Sequence, residues 1–271
     1  MKSAEFPKVS VIISTYNRPA MLSRALASVC AQTFDDFEVI VVDDASADVE
    51  AMQAVVTEWD GKFAARGINL WPYRLEANSG YQCFPKNRGI ERASGDYIAY
   101  LDDDNEWKPE HLDTLMAAIE SDASTDMVYS RVCYVVEDEA TREAMIAKIG
   151  TAPEGDTVGT PWNPQALTQK NYIDTSTMLH TKGGFWRLVR ETGYGWDESL
   201  RRFGDWNFVW RWAAAGMNGR LVDAVTVLYH WHGGSLQLTR PLVETPMTFN
   251  YAQWLANRRS VDETSGYTRA V

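Results

Sequence analysis

The chain has 271 residues, 45% of them apolar, which allows one α/β domain with extra elements and an ordinary hydrophobic core. A formal net charge of −11 argues against a broad phosphate-binding face for nucleic acid or an anionic membrane, though not against one local basic patch. Cys30, Cys83 and Cys133 contain no CxxC pair; they read as free thiols of a reducing compartment, not as a disulfide frame or zinc site.

Residues 9–13 (VSVII) form a short β-branched run that predicts a buried strand. Pro19 then suits the first turn of a helix whose stripe is Leu22, Leu26 and Val29. A second buried strand is expected at 38–42, a helix at 51–59, and a weaker strand at 68–73, where Pro72 favours a sheet edge. A helix at 87–93, the turn Ser94-Gly95 and a strand at 97–101 follow, then a helix from Pro109 to Ile119 and a strand at 127–136. Such alternation predicts a mostly parallel, Rossmann-like sheet covered by helices on both faces. Residues 150–171, with Pro153, Gly155, Gly159, Pro161 and Pro164, break the pattern and read as a loop able to close over a ligand. Helices are expected again at 181–191 and 205–215, with a last strand at 221–229 and a mobile polar tail beyond Asn257. No internal repeat is visible. No apolar run is long enough to cross a bilayer, and the first residues carry no apolar signal core. The expected location is cytoplasmic, with peripheral membrane contact left open.

Polar residues cluster where the strands end. The first predicted strand runs into Ser14-Thr15-Tyr16-Asn17-Arg18, the second into Asp43-Asp44-Ala45-Ser46, and the later one into Asp102-Asp103-Asp104-Asn105. In an open parallel sheet these ends share one rim, where ligands bind near the point at which strand order reverses. Three adjacent carboxylates either form a solvated acidic turn or are neutralised by a cation, and Mg²⁺ and Mn²⁺ favour oxygen donors shared with substrate phosphates. There is neither a GxGxxG nor a GxxxxGK[ST] motif, which excludes a Rossmann dinucleotide grip and a P-loop. A diphosphate held through its cation, and departing as a nucleoside diphosphate, fits what remains. Lys86 and Arg88, at the start of the helix before the acidic strand, and Arg18 are the candidate phosphate contacts; each also has a plain solvated reading.

Five blocks, in order, resemble the glycosyltransferases of the GT-A fold, family 2. They are residues 9–18, residues 37–46, Lys86-Asn87-Arg88-Gly89-Ile90 continuing to residues 94–105, Gly195-Trp196-Asp197-Glu198 with Gly204-Asp205-Trp206, and residues 229–235. The likeness extends over residues 7–236 and is greatest to the spore-coat polysaccharide type, through Gln32-Thr33-Phe34, Asp103-Asp104-Asn105 and Gly204-Asp205 followed by Phe208-Val209-Trp210-Arg211. The resemblance implies a single domain over 1–257, with a nucleotide-sugar half at 7–120 and an acceptor-side half beyond it. It implies that Ser14, Thr15 and Tyr16 shape the nucleotide pocket, Tyr16 stacking on the base. Asp44 would accept a hydrogen bond from the base, supported by Asp43. Asp103 would contact ribose or sugar, and Asp104 would be the principal ligand of Mn²⁺ or Mg²⁺, with Asp102 and His232 as further metal candidates. Asp205 would be the catalytic base.

The implied reaction is a metal-dependent inverting transfer from a nucleoside-diphosphate sugar to a glycan or other hydroxyl acceptor. A UDP-sugar is the first choice of donor, with dTDP- and GDP-sugars as alternatives. One displacement needs a base on the acceptor side and charge stabilisation on the leaving-group side. Asp205 also reads as an ordinary helix cap, and His232 as a packing histidine. Trp206, beside Asp205, is the aromatic ring singled out for the acceptor side. The alternatives at this point are a sugar-phosphate nucleotidyltransferase, which wants a Gly-rich loop after the first strand, and a catalytically silent nucleotide- or carbohydrate-binding module.

Overall fold

Ser14 and Thr15 extend the first β-branched run, and β1 (Val9–Thr15) is buried along its whole length. So is β2 (Phe37–Asp43), reached through α1 (Pro19–Cys30), which opens on Pro19 and buries Leu22, Leu26 and Val29. The computed structural model describes residues 6–235; the expected limit at 257 and the polar tail lie outside them. After α2 (Val49–Ala65), β3 (Leu70–Arg74) pairs parallel with β2 and occupies the sheet edge, where Pro72 is tolerated. The chain then returns through α3 (Cys83–Arg92) to β4 (Tyr97–Asp102), on the other side of β1. Strand order therefore reverses at β1, which opens a crevice beyond the carboxyl ends of β1 and β4. Ser14 is the register partner of Asp102, and Thr15 of Asp43, so the three polar strand ends lie level.

The second half is mixed, not parallel. After β5 (Glu106–Trp107) and α4 (His111–Glu120), β6 (Met127–Val136) runs antiparallel to β8 (Met178–Thr181), which in turn runs antiparallel to β4. β9 (Gly219–Trp231) lies parallel to β6, giving the order β3-β2-β1-β4-β8-β6-β9-β5 among the described residues. β8 is only four residues long, too short to show a period. α5 (Glu139–Ile149) was also not expected, because Thr141 and Met145 are its only buried residues. Asp138 caps it through Thr141 N and Gly150 ends it in the left-handed region.

Residues 150–171 are not a free loop. They contain β7 (Thr157–Val158), paired with β6, and α6 (Pro164–Leu167), whose Leu167 is buried. Tyr129 Oη and Arg131 Nη1 donate to the carbonyls of Thr160 and Gly159, both at 2.8 Å. The expected closing segment is thus sewn to β6.

Alternation along β1 divides the core. Val9, Val11 and Ile13 pack with α1, α2 and α4 on one face, whereas Ile12 joins Tyr100, Trp196, Phe208 and Trp212 on the other. That second face also receives α7 (Lys182–Thr192) and α8 (Gly204–Ala214), and it absorbs most of the tryptophans of the second half. α3 approaches β1 closely here: a Cβ on Gly89 would lie 2.6 Å from Ile12 Cγ2. Gly89→Ala should therefore destabilise the fold by about 1–3 kcal/mol through overpacking, seen as a lower urea midpoint with an unchanged m-value.

Candidate active site

A cleft of about 570 Å³ occupies the crevice. Ser14, Thr15, Tyr16 and Arg18 line it from the end of β1, Asp44 from the end of β2, and Asp102, Asp103 and Asp104 from the end of β4. Two turns give it shape. Asn17 and Ala45 adopt φ values of 55° and 61°, the left-handed region that costs a non-glycine residue strain. The turns hold each other: Asn17 N donates to Ser46 Oγ at 2.8 Å, and Ala47 N to Asn17 Oδ1 at 2.6 Å.

Asp43 and Asp44 divide their tasks. Asp43 accepts from Ser46 N at 2.9 Å, from Ser46 Oγ and from Arg74, so it secures the turn from behind. Asp44 lines the cleft and accepts from Ser79 N, Ser79 Oγ and Asn78 Nδ2 at 2.8–3.0 Å. Burial raises its pKa above the ordinary carboxylate value.

The three β4 acids are neutralised from two directions. Buried Lys86 donates to Asp102 Oδ1 at 2.9 Å and also to Gln82, with its Nζ 4.9 Å from the Trp196 ring centre. Asp103 accepts from Thr15 Oγ1 at 2.7 Å and from Arg18 Nη1 at 3.0 Å. The same Nη1 reaches Asp104 Oδ2 at 2.9 Å, so one guanidinium straddles two carboxylates. His232 Nε2 lies 3.2 Å from Asp104 Oδ2, and Gly234 N donates to His232 Nδ1 at 3.2 Å; the neutral ring's proton is thereby assigned to Nε2, and it must leave before that nitrogen can bind a cation. Burial and the neighbouring Asp104 push Asp103 up to about 7. Although burial opposes it, Asp104 is held below the usual carboxylate range by His232 and Arg18.

Asp205 faces this cluster from the first turn of α8, one residue inside the helix start, and not from the cap position, which is Phe203. Its Oδ2 accepts from Asn171 Nδ2 at 2.7 Å. Burial raises its pKa, with Lys86 pulling the other way. Asp174 also lines the cleft and was missed by sequence reasoning, as was Asn171. Ser176 N donates to Asp174 Oδ1 at 2.8 Å, and burial together with Asp102 pushes the carboxyl up to about 7. A lone aspartate before Thr175-Ser176 carries only a turn signal in sequence.

Asp43, His232 and Lys86 lie behind the cleft lining, the fully buried Lys86 meeting Asp102 instead of a phosphate, and two further expected residues lie elsewhere. Arg88 lines a different hollow and pairs with Glu91 at 2.9 Å and Glu198 at 3.3 Å, so it meets carboxylates instead of a phosphate position. Trp206 is buried in the core and donates from Nε1 to the Leu167 carbonyl at 2.6 Å; it does not line the cleft.

Among the described residues, no group of three or more His, Cys, Asp or Glu side chains forms a ready-made metal cage. Asp104 nonetheless presents an oxygen donor on the cleft, and the buried His232 Nε2 lies 3.2 Å from that oxygen as a second potential donor. Two protein donors fit a Mg²⁺ or Mn²⁺ ion that completes its shell with substrate phosphates. Asp102 is bonded to Lys86, and Asp103, 7% exposed and bonded to Thr15 and Arg18, is the least available of the β4 acids.

Residues 10–191, more than half of the chain, match the family model described as glycosyl transferase family 2. The chain is 26% identical over 233 residues to the putative colanic acid biosynthesis glycosyl transferase WcaA of Escherichia coli (strain K12), covering 86% of this chain and 76% of that protein. It is 36% identical over 115 residues to the GalNAc(5)-diNAcBac-PP-undecaprenol beta-1,3-glucosyltransferase of Campylobacter jejuni, covering 41% of this chain and 34% of that protein. S. aureus TarS 1-349 in complex with UDP-GlcNAc superposes with a TM-score of 0.64 at 23% identity, covering 87% of this chain and 62% of that one. The mannosyltransferase PcManGT from Pyrobaculum calidifontis, in complex with GDP-Man and Mn²⁺, gives 0.58 at 18% identity, covering 83% and 57%. The chain thus spans less than two thirds of either solved chain, and the likeness to them is one of GT-A fold. The family match takes in all three polar strand ends of the cleft, and on it the chain belongs to glycosyl transferase family 2.

Proposed function

We propose that this glycosyltransferase is inverting and metal-dependent, and that it acts in the cytoplasm on a nucleoside-diphosphate sugar, a UDP-sugar first among them. The observation that carries this reading is that Asp205 and Asp104 line one cleft, with His232 Nε2 3.2 Å from Asp104 Oδ2. A proton acceptor therefore shares the space in which a diphosphate would be held. The ion, when bound with its diphosphate, would supply charge stabilisation to the departing group. Asp104 and His232 would hold it.

The chain's own residues do the rest. Asp205 takes the proton of the acceptor hydroxyl, whose oxygen attacks the anomeric carbon as the bond to the diphosphate breaks, so the configuration inverts. Tyr16, 43% exposed at the mouth, is free to stack on the base, and Asp44, on the same cleft, would accept a base N–H in exchange for one of its bonds from Ser79 or Asn78. Arg18 and Thr15 hold Asp103 toward the ribose or sugar. A glycan or another hydroxyl-bearing molecule is the acceptor; nucleic acid is not expected at a net charge of −11. The solved neighbours in complex with UDP-GlcNAc and with GDP-Man and Mn²⁺ support donors of this class, and GDP- and dTDP-sugars stay in the test. The likeness to the spore-coat polysaccharide type belongs to the same reading. Among the described residues no helix is long and apolar enough to cross a membrane.

The test is a thermal-shift panel of UDP-, dTDP- and GDP-sugars with Mn²⁺ or with chelator, read beside nucleoside-diphosphate release. At least one UDP-sugar should raise Tm only in the presence of metal, since a ligand of the native state stabilises it. No shift with any nucleotide sugar, or pyrophosphate release from a nucleoside triphosphate and a sugar phosphate, would overturn the assignment.

A further inference from the structure

A second hollow, of about 450 Å³, lies between α3 and α7 and is closed by residues 194–199; it shares no lining residue with the first cleft. Its composition is mixed. Consecutive residues of α7 point in different directions, so Phe185 enters the core while Trp186 is 45% exposed on the wall of the hollow. Across from it, Arg88 uses its terminal nitrogens on Glu91 and Glu198, and its Nε is buried without an acceptor.

We propose that this hollow is a carbohydrate-binding subsite that holds a distal sugar ring of a neutral glycan acceptor, which rests on the reading of the chain as a glycosyltransferase. A sugar ring offers an apolar C–H face and a rim of hydroxyls that both donate and accept. Trp186 supplies the flat apolar partner, while Glu91, Glu198 and Arg88 supply acceptors and a donor at its edge. Charge selects against other occupants. The wall carries the carboxylates Glu91, Asp197 and Glu198 against the single guanidinium of Arg88, which repels a phosphorylated or acidic ligand.

Packed side chains link the wall of the hollow to the catalytic cleft. Asn87 receives a hydrogen bond from Trp196 N at 2.9 Å and donates to Trp196 O at 2.8 Å, fixing the segment that walls the hollow. The Trp196 ring lies against Lys86, which holds Asp102 on the cleft side. Ser199 on the hollow's rim lies six residues before Asp205, a separation that the chain can stretch to at most about 20 Å, within the reach of a short oligosaccharide.

The experiment uses the full chain with four neutral probes, cellotetraose, chitotetraose, mannotetraose and galactotetraose. Binding is read by tryptophan fluorescence and saturation-transfer NMR. At least one tetraose should bind at millimolar concentration, and Trp186→Ala should weaken it by about tenfold while Trp186→Phe restores most of the loss. Binding of UDP with Mn²⁺ is measured in parallel by calorimetry and should be unchanged in Trp186→Ala. Wild-type protein that binds no tetraose, or a Trp186→Ala variant that binds as wild type, would overturn the subsite. Absence of UDP binding in the wild type would instead remove the glycosyltransferase reading, so the two failures are separable.

Discussion

Replacing Asp205 with asparagine should lower kcat by roughly 10²- to 10⁴-fold, the range expected for losing a general base, while donor affinity stays within about twofold. The exchange preserves shape and can keep a hydrogen bond to Asn171, but the amide cannot take the acceptor's proton. Burial raises the Asp205 pKa, so at a given pH the carboxylate is a better base than an exposed one. The sign of the pH dependence follows. The active form is deprotonated, hence kcat/KM should rise with pH through an apparent pKa above the usual carboxylate range, and Asp205→Asn should flatten that acid limb. Single-turnover kinetics with saturating donor, across pH, measure both. Turnover near wild type in the variant would move the role to another acid of the cleft, and Asp174, pushed up to about 7 in the same space, is the one to replace next.

How far the sequence alone reveals this site depends on which physical rule places each residue. The strand ends were legible because β1 and β2 are continuous β-branched runs that bury both faces, and parallel pairing then aligns their carboxyl ends. Ser14, Thr15, Asp44 and the β4 acids follow from that register with no knowledge of side-chain contacts. Helix faces were harder. Lys86 and Arg88 were both expected to meet phosphate, yet positions two apart on a helix lie on nearly opposite sides, so only one can face the acids. The same geometry separates Asp205 from Trp206: one residue of rotation turns the indole into the core while the carboxylate keeps the cleft. Asp174 and Asn171 were out of reach for another reason. Their approach to Asp102 and Asp205 is created by β8, a short antiparallel strand inserted between β4 and β6, and nothing local to 171–177 announces that pairing. Residues 150–171 misled through composition, since proline and glycine forbid long regular elements but do not prevent a segment from being held by donors such as Tyr129 and Arg131.

Asp104→Ala should abolish the Mn²⁺-dependent part of UDP affinity, weakening binding by roughly ten- to a hundredfold, the scale of one charge-assisted contact. Asp104 is the β4 acid best suited to a cation. Its side chain is as exposed as that of Asp102, its pKa is lowered so it is ionised, and His232 lies beside it as a second donor. Asp102 and Asp103 are committed instead to Lys86 and to Thr15 with Arg18. Arg18 is what makes the result diagnostic. Its guanidinium already compensates Asp103 and Asp104, so a cation arriving at Asp104 competes with Arg18 Nη1 for the same oxygen. Removing Asp104 leaves Arg18 to Asp103 alone and takes away the neighbouring negative charge that raises the Asp103 pKa. UDP binding in chelator should then be preserved or slightly improved, while binding in Mn²⁺ falls to the chelator value. Calorimetry with UDP, with and without Mn²⁺, on wild type, Asp104→Ala and His232→Ala reads this directly, the histidine variant losing less. An Asp104→Ala protein whose UDP affinity still rises with Mn²⁺ as in the wild type would mean that the cation sits elsewhere, and that the acid pair at the end of β4 serves only to anchor Arg18.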